Sequence, residues 1–466
     1  MVHGAREGAF LMGMGRRKQE RQRELWVATG SLPEVPQHVF YDKLNRLLDE
    51  SEFDTFVEEL CEPHYANHLG RPGIPPGRFF RMLFVGYFEG LDSQRGIAWR
   101  CADSRSLRAF LFLEHDEASP DHSSLSRIQG RLPIEVYEQV FRFVLTLADE
   151  HKLLANKTVA VDSTYLEANA AMKSIVRKET GEDWKAYVKR LAEEEGVEIE
   201  DDNDLRTFDK TRKNKKVSNA EWESESDADS RIMKMKDGRT HLAYKAEHTI
   251  DLDSEFLLDA TVYHADSADT ATLTASLSAA QENLEQAAVY RDIDEVVADK
   301  GYHANGTLAD CRAWGCFGLR TYIPEPNSKF ERRWTDKPSA FKDAVYANRR
   351  RLQGDRNKRL QRKRSELVER SFAHICETGG ARRTWLRGLE QVNKRYKIVA
   401  VARNLGLVMR KLFGIGTPRS LQGGFSFAYF LQLAGTVLRT VLSTLNRLEQ
   451  SPPSINATLR PTVVVI

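Results

Sequence analysis

Three carboxylates stand in surroundings that would let them act together. Asp162 ends the β-branched run Thr158-Val-Ala-Val, and Asp299 follows the run from Ile293 to Ala298. Short runs of that kind read as buried strands, so each aspartate is expected at a strand's carboxyl end. Glu369 lies between Val368 and Phe372, beside an apolar stripe at helical spacing. Carboxylates that converge on one space repel each other and are costly without cations. Magnesium takes oxygen ligands and keeps waters and phosphate oxygens, which suits such a trio, and manganese is a plausible substitute. Two ions about 4 Å apart would activate an attacking oxygen and stabilise a leaving oxygen in phosphodiester displacement. Glu366, three residues before Glu369, projects to a neighbouring part of the same helix and competes for the third place.

The elements that must bring these residues together follow in a definite order. After the strand ending at Asp162 come two antiparallel strands, His241 to Ile250 and Phe256 to Tyr263, with a turn at Asp253-Ser254. A helix from Thr270 to Gln286 leads to the strand ending before Asp299, a helix from Gly306 to Trp314 and a fifth strand from Gly318 to Ile323. A helix carrying Glu369 and a long helix from Val392 to Leu412 complete the series. In a mixed sheet with strand one central and strand four beside it, Asp162 and Asp299 emerge side by side, where ligand sites cluster. Between the first two strands, Ala171 to Gly238 is charged and weakly periodic, with one helix expected near Trp184 to Glu195. The remainder of that segment reads as an inserted, mobile stretch.

Upstream, Asp42 to Leu154 is helical in pattern throughout. Asp121 and Ser123 suit the N-terminus of a short helix carrying Arg127, Gln129 and Arg131, which is a candidate for a DNA groove. The division expected is a tail over 1–15, a helical domain over 16–155, an α/β domain over 156–413 and a tail over 414–466. The α/β domain would hold a charged insertion at about 171–238 and a basic one at about 324–364. The last tail contains one apolar helix, and Gln432 and Arg439 interrupt its most apolar stretch.

The chain has 466 residues and a net charge of only +2, so the partition of charge says more than the total. Residues 179–230 hold 17 acidic and 9 basic side chains, a net of −8, whereas residues 331–411 hold 23 basic and 8 acidic, a net of +15. A basic concentration of that size is what a polyanion-binding surface needs, and Arg349, Arg350 and Arg351 are its densest run. Five cysteines without a CxxC pair indicate reduced, buried thiols in a cytoplasmic protein, and the basic concentration suits one associated with DNA. No segment reads as a membrane span or a secretory signal.

Val159-Ala-Val-Asp-Ser-Thr, Val296-Val-Ala-Asp-Lys-Gly-Tyr and Val368-Glu-Arg-Ser-Phe-Ala-His resemble the three acidic motifs of DDE transposases of bacterial insertion sequences, in particular the group numbered eleven-eighty-two. Arg71-Pro-Gly, Asp121-His-Ser-Ser-Leu-Ser-Arg, Asp229-Ser-Arg, Thr240-His-Leu-Ala-Tyr-Lys and Asn404-Leu-Gly-Leu extend the likeness over roughly residues 14–413. The resemblance implies a ribonuclease-H-like five-stranded mixed sheet behind an all-helical N-terminal domain. It implies Asp162, Asp299 and Glu369 as catalytic magnesium ligands that cleave the element's terminal inverted repeats and transfer the strand to target DNA. It also implies a dimer or higher assembly on that DNA. Many relatives carry a Tyr, an Arg and a Lys at fixed offsets around the glutamate, and those positions hold Arg362, Ser365 and Cys376 here. Arg364 and Arg370 are the nearest substitutes for holding the scissile phosphate. A nuclease on the same core that does not join strands is the nearest rival.

Overall fold

The computed structural model describes Met14 and residues 38–66, 73–114, 116–155, 157–212, 218–235, 237–327 and 332–421. The expected tail over 1–15, apart from Met14, and the apolar helix of the C-terminal tail lie outside the described residues, as do Arg71 and Pro72.

The N-terminal region is helical. It comprises α1 (Val39–Glu50), α2 (Phe53–Cys61), α3 (Pro76–Glu89), α4 (Gln94–Asp103), α5 (Arg105–Phe110), α6 (His122–Arg131) and α7 (Ile134–Glu150). Its core is aromatic, with Phe53, Phe79, Phe80, Phe84 and Phe88 fully buried. Arg81 is buried among them without being an uncompensated charge. Its guanidinium donates to Asp54 at 2.5 Å, to Asn45 at 3.1 Å and to Asp49 at 3.2 Å.

The larger sheet is built from β1 (Thr158–Glu167), β4 (Arg231–Lys234), β5 (Thr240–Asp251), β6 (Leu257–His264), β7 (Glu295–Ala298) and β8 (Arg320–Tyr322). β1 is central. β5 runs antiparallel to it on one side, and β7 and then β8 run parallel on the other. The far edge of β5 is shared, with β4 pairing Thr240 to Ala243 and β6 pairing Tyr244 to Ile250. Strands covered on both faces need continuous apolar runs, and Val159, Ala160, Val161, Val296, Val297 and Ala298 are all fully buried. One face is covered by α10 (Asp269–Gln286), which packs on β5 and β6. The other face takes α13 (Asp355–Ala373) across β7, β1 and β5, and α14 (Leu389–Phe413) on β6. α14 also packs on α7 and α3. α11 (Asn305–Arg312) and α12 (Ser339–Leu352) pack together beside β8.

The segment from Ala171 to Gly238 carries more structure than its sequence pattern suggests. The expected helix is present as α8 (Trp184–Glu194), but α9 (Asp202–Thr211) and the antiparallel pair β2 (Ile175–Arg177) and β3 (Trp222–Ser224) accompany it. The physical reason is a small aromatic cluster. Trp222 is buried, Tyr187 meets it edge-on at 5.3 Å, and the Arg177 guanidinium lies 4.8 Å and 5.5 Å from the two rings. Two large rings and a stacked cation bury area that a count of aliphatic periodicity does not register. Among the described residues no helix is long and apolar enough to cross a membrane. The cysteines form no disulfide, and Cys316 is exposed rather than buried as expected.

Candidate active site

Parallel pairing places the two aspartates. Val161 of β1 is register-matched to Ala298 of β7, so Asp162 and Asp299 are the next residue on each of two neighbouring parallel strands. Asp299 stands just past the carboxyl end of β7, but Asp162 does not end its strand as expected: pairing with β5 carries β1 on to Glu167, and Asp162 lies where the β7 pairing stops. On the other side Asp162 is opposite His248 of β5, so both side chains point to the face covered by α13.

Asp162 is half-buried. Its Oδ1 accepts from the Ser163 N–H at 2.8 Å, and its Oδ2 accepts from Arg364 Nη1 at 2.6 Å. Burial pushes its carboxyl above the usual range, Arg364 and the Ser163 amide oppose that push, and the nearby charges of Asp299 and Asp269 add to it. Asp299 caps a short 3₁₀ turn, Lys300–Tyr302, with Oδ1 accepting from the Gly301 N–H at 2.7 Å. A Cβ at position 301 would sit 2.7 Å from Asp269 Oδ2 and 3.0 Å from Asp299 Oδ1, so a larger residue there would have to displace the Asp269 carboxylate.

α13 supplies the covering residues. Gln361 donates to the Tyr322 carbonyl at 2.7 Å, and one turn later Arg364 reaches Asp162. Val368 and Ser371 continue the buried stripe. Glu369 sits beside that stripe, exposed, with Oε1 accepting from Ser365 at 3.3 Å. Glu366 is exposed and paired with Arg370 at 2.5 Å, and Arg370 also reaches Glu255 at 3.3 Å. The structure therefore brings Asp162, Asp299 and Arg364 together and sets Glu369 on the helix that covers them. Two adjacent carboxylates offer the hard oxygen donors that magnesium or manganese prefers. Among the described residues no group of three His, Cys, Asp or Glu side chains is already arranged to hold a metal ion.

Other expected residues have different surroundings. Arg349 donates to Glu325 at 2.8 Å and 3.1 Å, and Arg351 to the Thr321 carbonyl at 2.9 Å, whereas Arg350 is exposed. On α6, Asp121 caps the helix through the Ser123 N–H at 2.8 Å, as the sequence indicated. Gln129 does not face outward: it is buried and bonded to Gln94, because α4 packs on that side of α6. Arg131 lies over the Tyr65 ring at 5.3 Å, which leaves Arg127 as the exposed cation of the three side chains. His248 is packed, hydrogen-bonded to Ser371 at 2.9 Å and Tyr396 at 2.6 Å, and burial holds its pKa well below the usual value.

Residues 325–409 match the family described as "Transposase DDE domain", and residues 32–131 match "Transposase domain (DUF772)". The chain belongs to the DDE-type transposases. The DDE match spans α12 to most of α14 and includes Glu369. The other match spans most of the helical region of this transposase, through α6. No curated protein and no solved structure matches the chain.

Sequence reasoning missed a group on the opposite face of the sheet. Lys245 and Glu247 of β5 are fully buried, and Lys245 Nζ lies 3.2 Å from Glu247 Oε2 and 2.7 Å from Asp269 Oδ1. Ser163, next to Asp162, donates to the same Asp269 oxygen at 3.3 Å. The available signal was two opposite charges spaced by two, and so on one face of a strand, followed by an aspartate in the first turn of a helix.

Proposed function

We propose that this transposase cleaves phosphodiester bonds at the ends of a mobile element and joins the freed 3′-OH to target DNA. Asp162, Asp299 and Glu369 act as its catalytic carboxylates. The observation that carries this reading is that Asp162 and Asp299 both follow the last register-matched pair of the parallel strands β1 and β7, beneath α13. The sheet order β6-β5-β1-β7-β8, with only β5 reversed relative to β1 among these strands, is the order expected of a ribonuclease-H-like core. On this reading residues 156–413 form the catalytic domain and residues 16–155 the DNA-recognition domain.

Magnesium ions held by these carboxylates would supply Lewis-acid polarisation of the phosphate and a more acidic attacking water. The protein's own part is positioning. Ser163 and Gly301 amides aim the two aspartates, and Arg364 balances the charge on Asp162. The planar guanidinium of Arg364 also suits phosphate oxygens, so a bound scissile phosphate would compete with Asp162 for it.

Asp162→Asn and Asp299→Asn remove a charge and almost no volume. Each should lower nicking and strand transfer on duplexes bearing the element end by about two orders of magnitude or more, the scale of losing one group from a preorganised charged site. DNA binding by gel shift should stay near wild type. Cleavage at the wild-type rate by either purified variant would remove that residue from the site.

A further inference from the structure

The Asp299 turn is tied to the face of the sheet that α13 does not cover. Tyr302 closes the turn that Asp299 caps, is fully buried, and donates its hydroxyl to Glu247 Oε2 at 2.9 Å. Glu247 is a buried carboxylate, which is tolerable only when its oxygens are well satisfied. It accepts from Ser276 at 2.6 Å, Thr272 at 2.7 Å and Tyr302, and Lys245 lies at 3.2 Å as counter-charge. Ser276 and Thr272 belong to α10, so this one carboxylate joins β5, α10 and the turn after β7.

We infer that Glu247 and Tyr302 are positioning residues, fixing the Asp299 carboxylate for the reaction through the turn between them. The inference rests on the reading of Asp299 as a catalytic carboxylate. A turn of three residues has few hydrogen bonds of its own. The Gly301 N–H sets the rotation of the Asp299 carboxylate, and the Tyr302 hydroxyl is the turn's side-chain polar tie to the rigid sheet. Partners one step removed from a metal-binding carboxylate typically change metal affinity or activity by about ten- to a hundredfold when lost. A residue that merely fills the core would change stability and leave those two quantities alone.

The matched control is Tyr263, whose hydroxyl lies 3.0 Å from Ser276 Oγ in the same network but which does not belong to the Asp299 turn. Tyr302→Phe, Glu247→Gln and Tyr263→Phe are compared in the full chain, with Asp299→Asn alongside. Expected for Tyr302→Phe and Glu247→Gln is a kcat for end cleavage lower by about tenfold or more, with the Kd for end DNA unchanged. Manganese binding to the protein–DNA complex, titrated by electron paramagnetic resonance, should weaken in the same two variants. Tyr263→Phe should resemble wild type in both readouts at a similar loss of thermal stability. If Glu247→Gln fails to fold, Tyr302→Phe decides alone. Equal effects of Tyr302→Phe and Tyr263→Phe, or wild-type kcat and manganese binding in Tyr302→Phe while Asp299→Asn is inactive, would overturn the inference alone. An active Asp299→Asn would instead overturn the reading beneath it.

Discussion

At the scale of single residues, the choice between Glu366 and Glu369 as the proposed third carboxylate turns on where α13 faces. Gln361, Arg364, Val368 and Ser371 look at the sheet, since the first two bond the Tyr322 carbonyl and Asp162 and the last two are buried. Successive helical residues turn by about 100°, so Glu369 lies about 100° from Val368 and Glu366 about 160° from it. Glu369 therefore borders the covered face, while Glu366 lies nearly opposite and is occupied by Arg370. Glu369→Gln should cost about two orders of magnitude in magnesium-dependent nicking, and Glu366→Gln little. The comparison needs only the two purified variants on one end substrate. An inactive Glu366→Gln beside an active Glu369→Gln would move the assignment by one helical turn.

At the scale of elements, the long helix α14 shows how a distant segment positions a helix. Its N-cap residue, Gly388, offers no side chain, yet two N–H groups at its start are satisfied from far away in sequence. Asp227 Oδ1 accepts from the Gly388 N–H at 3.0 Å, and Asp229 Oδ2 from the Leu389 N–H at 2.8 Å. Both carboxylates also place negative charge at the positive end of the helix. Asp229→Ala should lower unfolding stability by about 1–2 kcal/mol in urea titrations, with cleavage per folded molecule preserved. A loss under about 0.3 kcal/mol would mean that water replaces the cap. The order of strands and helices was legible in the sequence because period-2 and 3.6-residue patterns are local. The cap was not, because its two halves are joined only in the folded chain. The same holds for Lys245 and Glu247: in a strand pattern they read as solvent-facing, but α10 covers that face, and each supplies part of the other's compensation. The aromatic cluster of Arg177, Tyr187 and Trp222 escaped notice because its members come from three separate elements.

At the scale of the whole molecule, the basic excess of residues 331–411 is smaller in effect than in number. Many of its cations are already paired within the fold: Arg349 with Glu325, Arg356 with Glu295, Lys363 with Asp253, Arg364 with Asp162 and Lys397 with Asp259. Arg351 is held at the Thr321 carbonyl. A cation committed to a protein partner releases few counterions when DNA arrives, so sequence charge overstates the number of phosphate contacts. Arg350 is the exposed member of the Arg349-Arg350-Arg351 run, and this gives a quantitative expectation. For duplex DNA, each phosphate contact contributes about 0.9 to the slope of log K against log salt. Arg350→Ala should flatten the slope by about that amount if Arg350 meets a phosphate. Replacing all three arginines by alanine should flatten it no further, while lowering stability through the lost Glu325 and Thr321 contacts. The measurement is DNA affinity at four or more salt concentrations for wild type, Arg350→Ala and the triple variant. A triple-variant change near 2.7, about three times the single value, would show Arg349 and Arg351 exchanging their protein partners for phosphates. An unchanged slope in both variants would place the DNA on another surface, with Arg127 of α6 next to be tested.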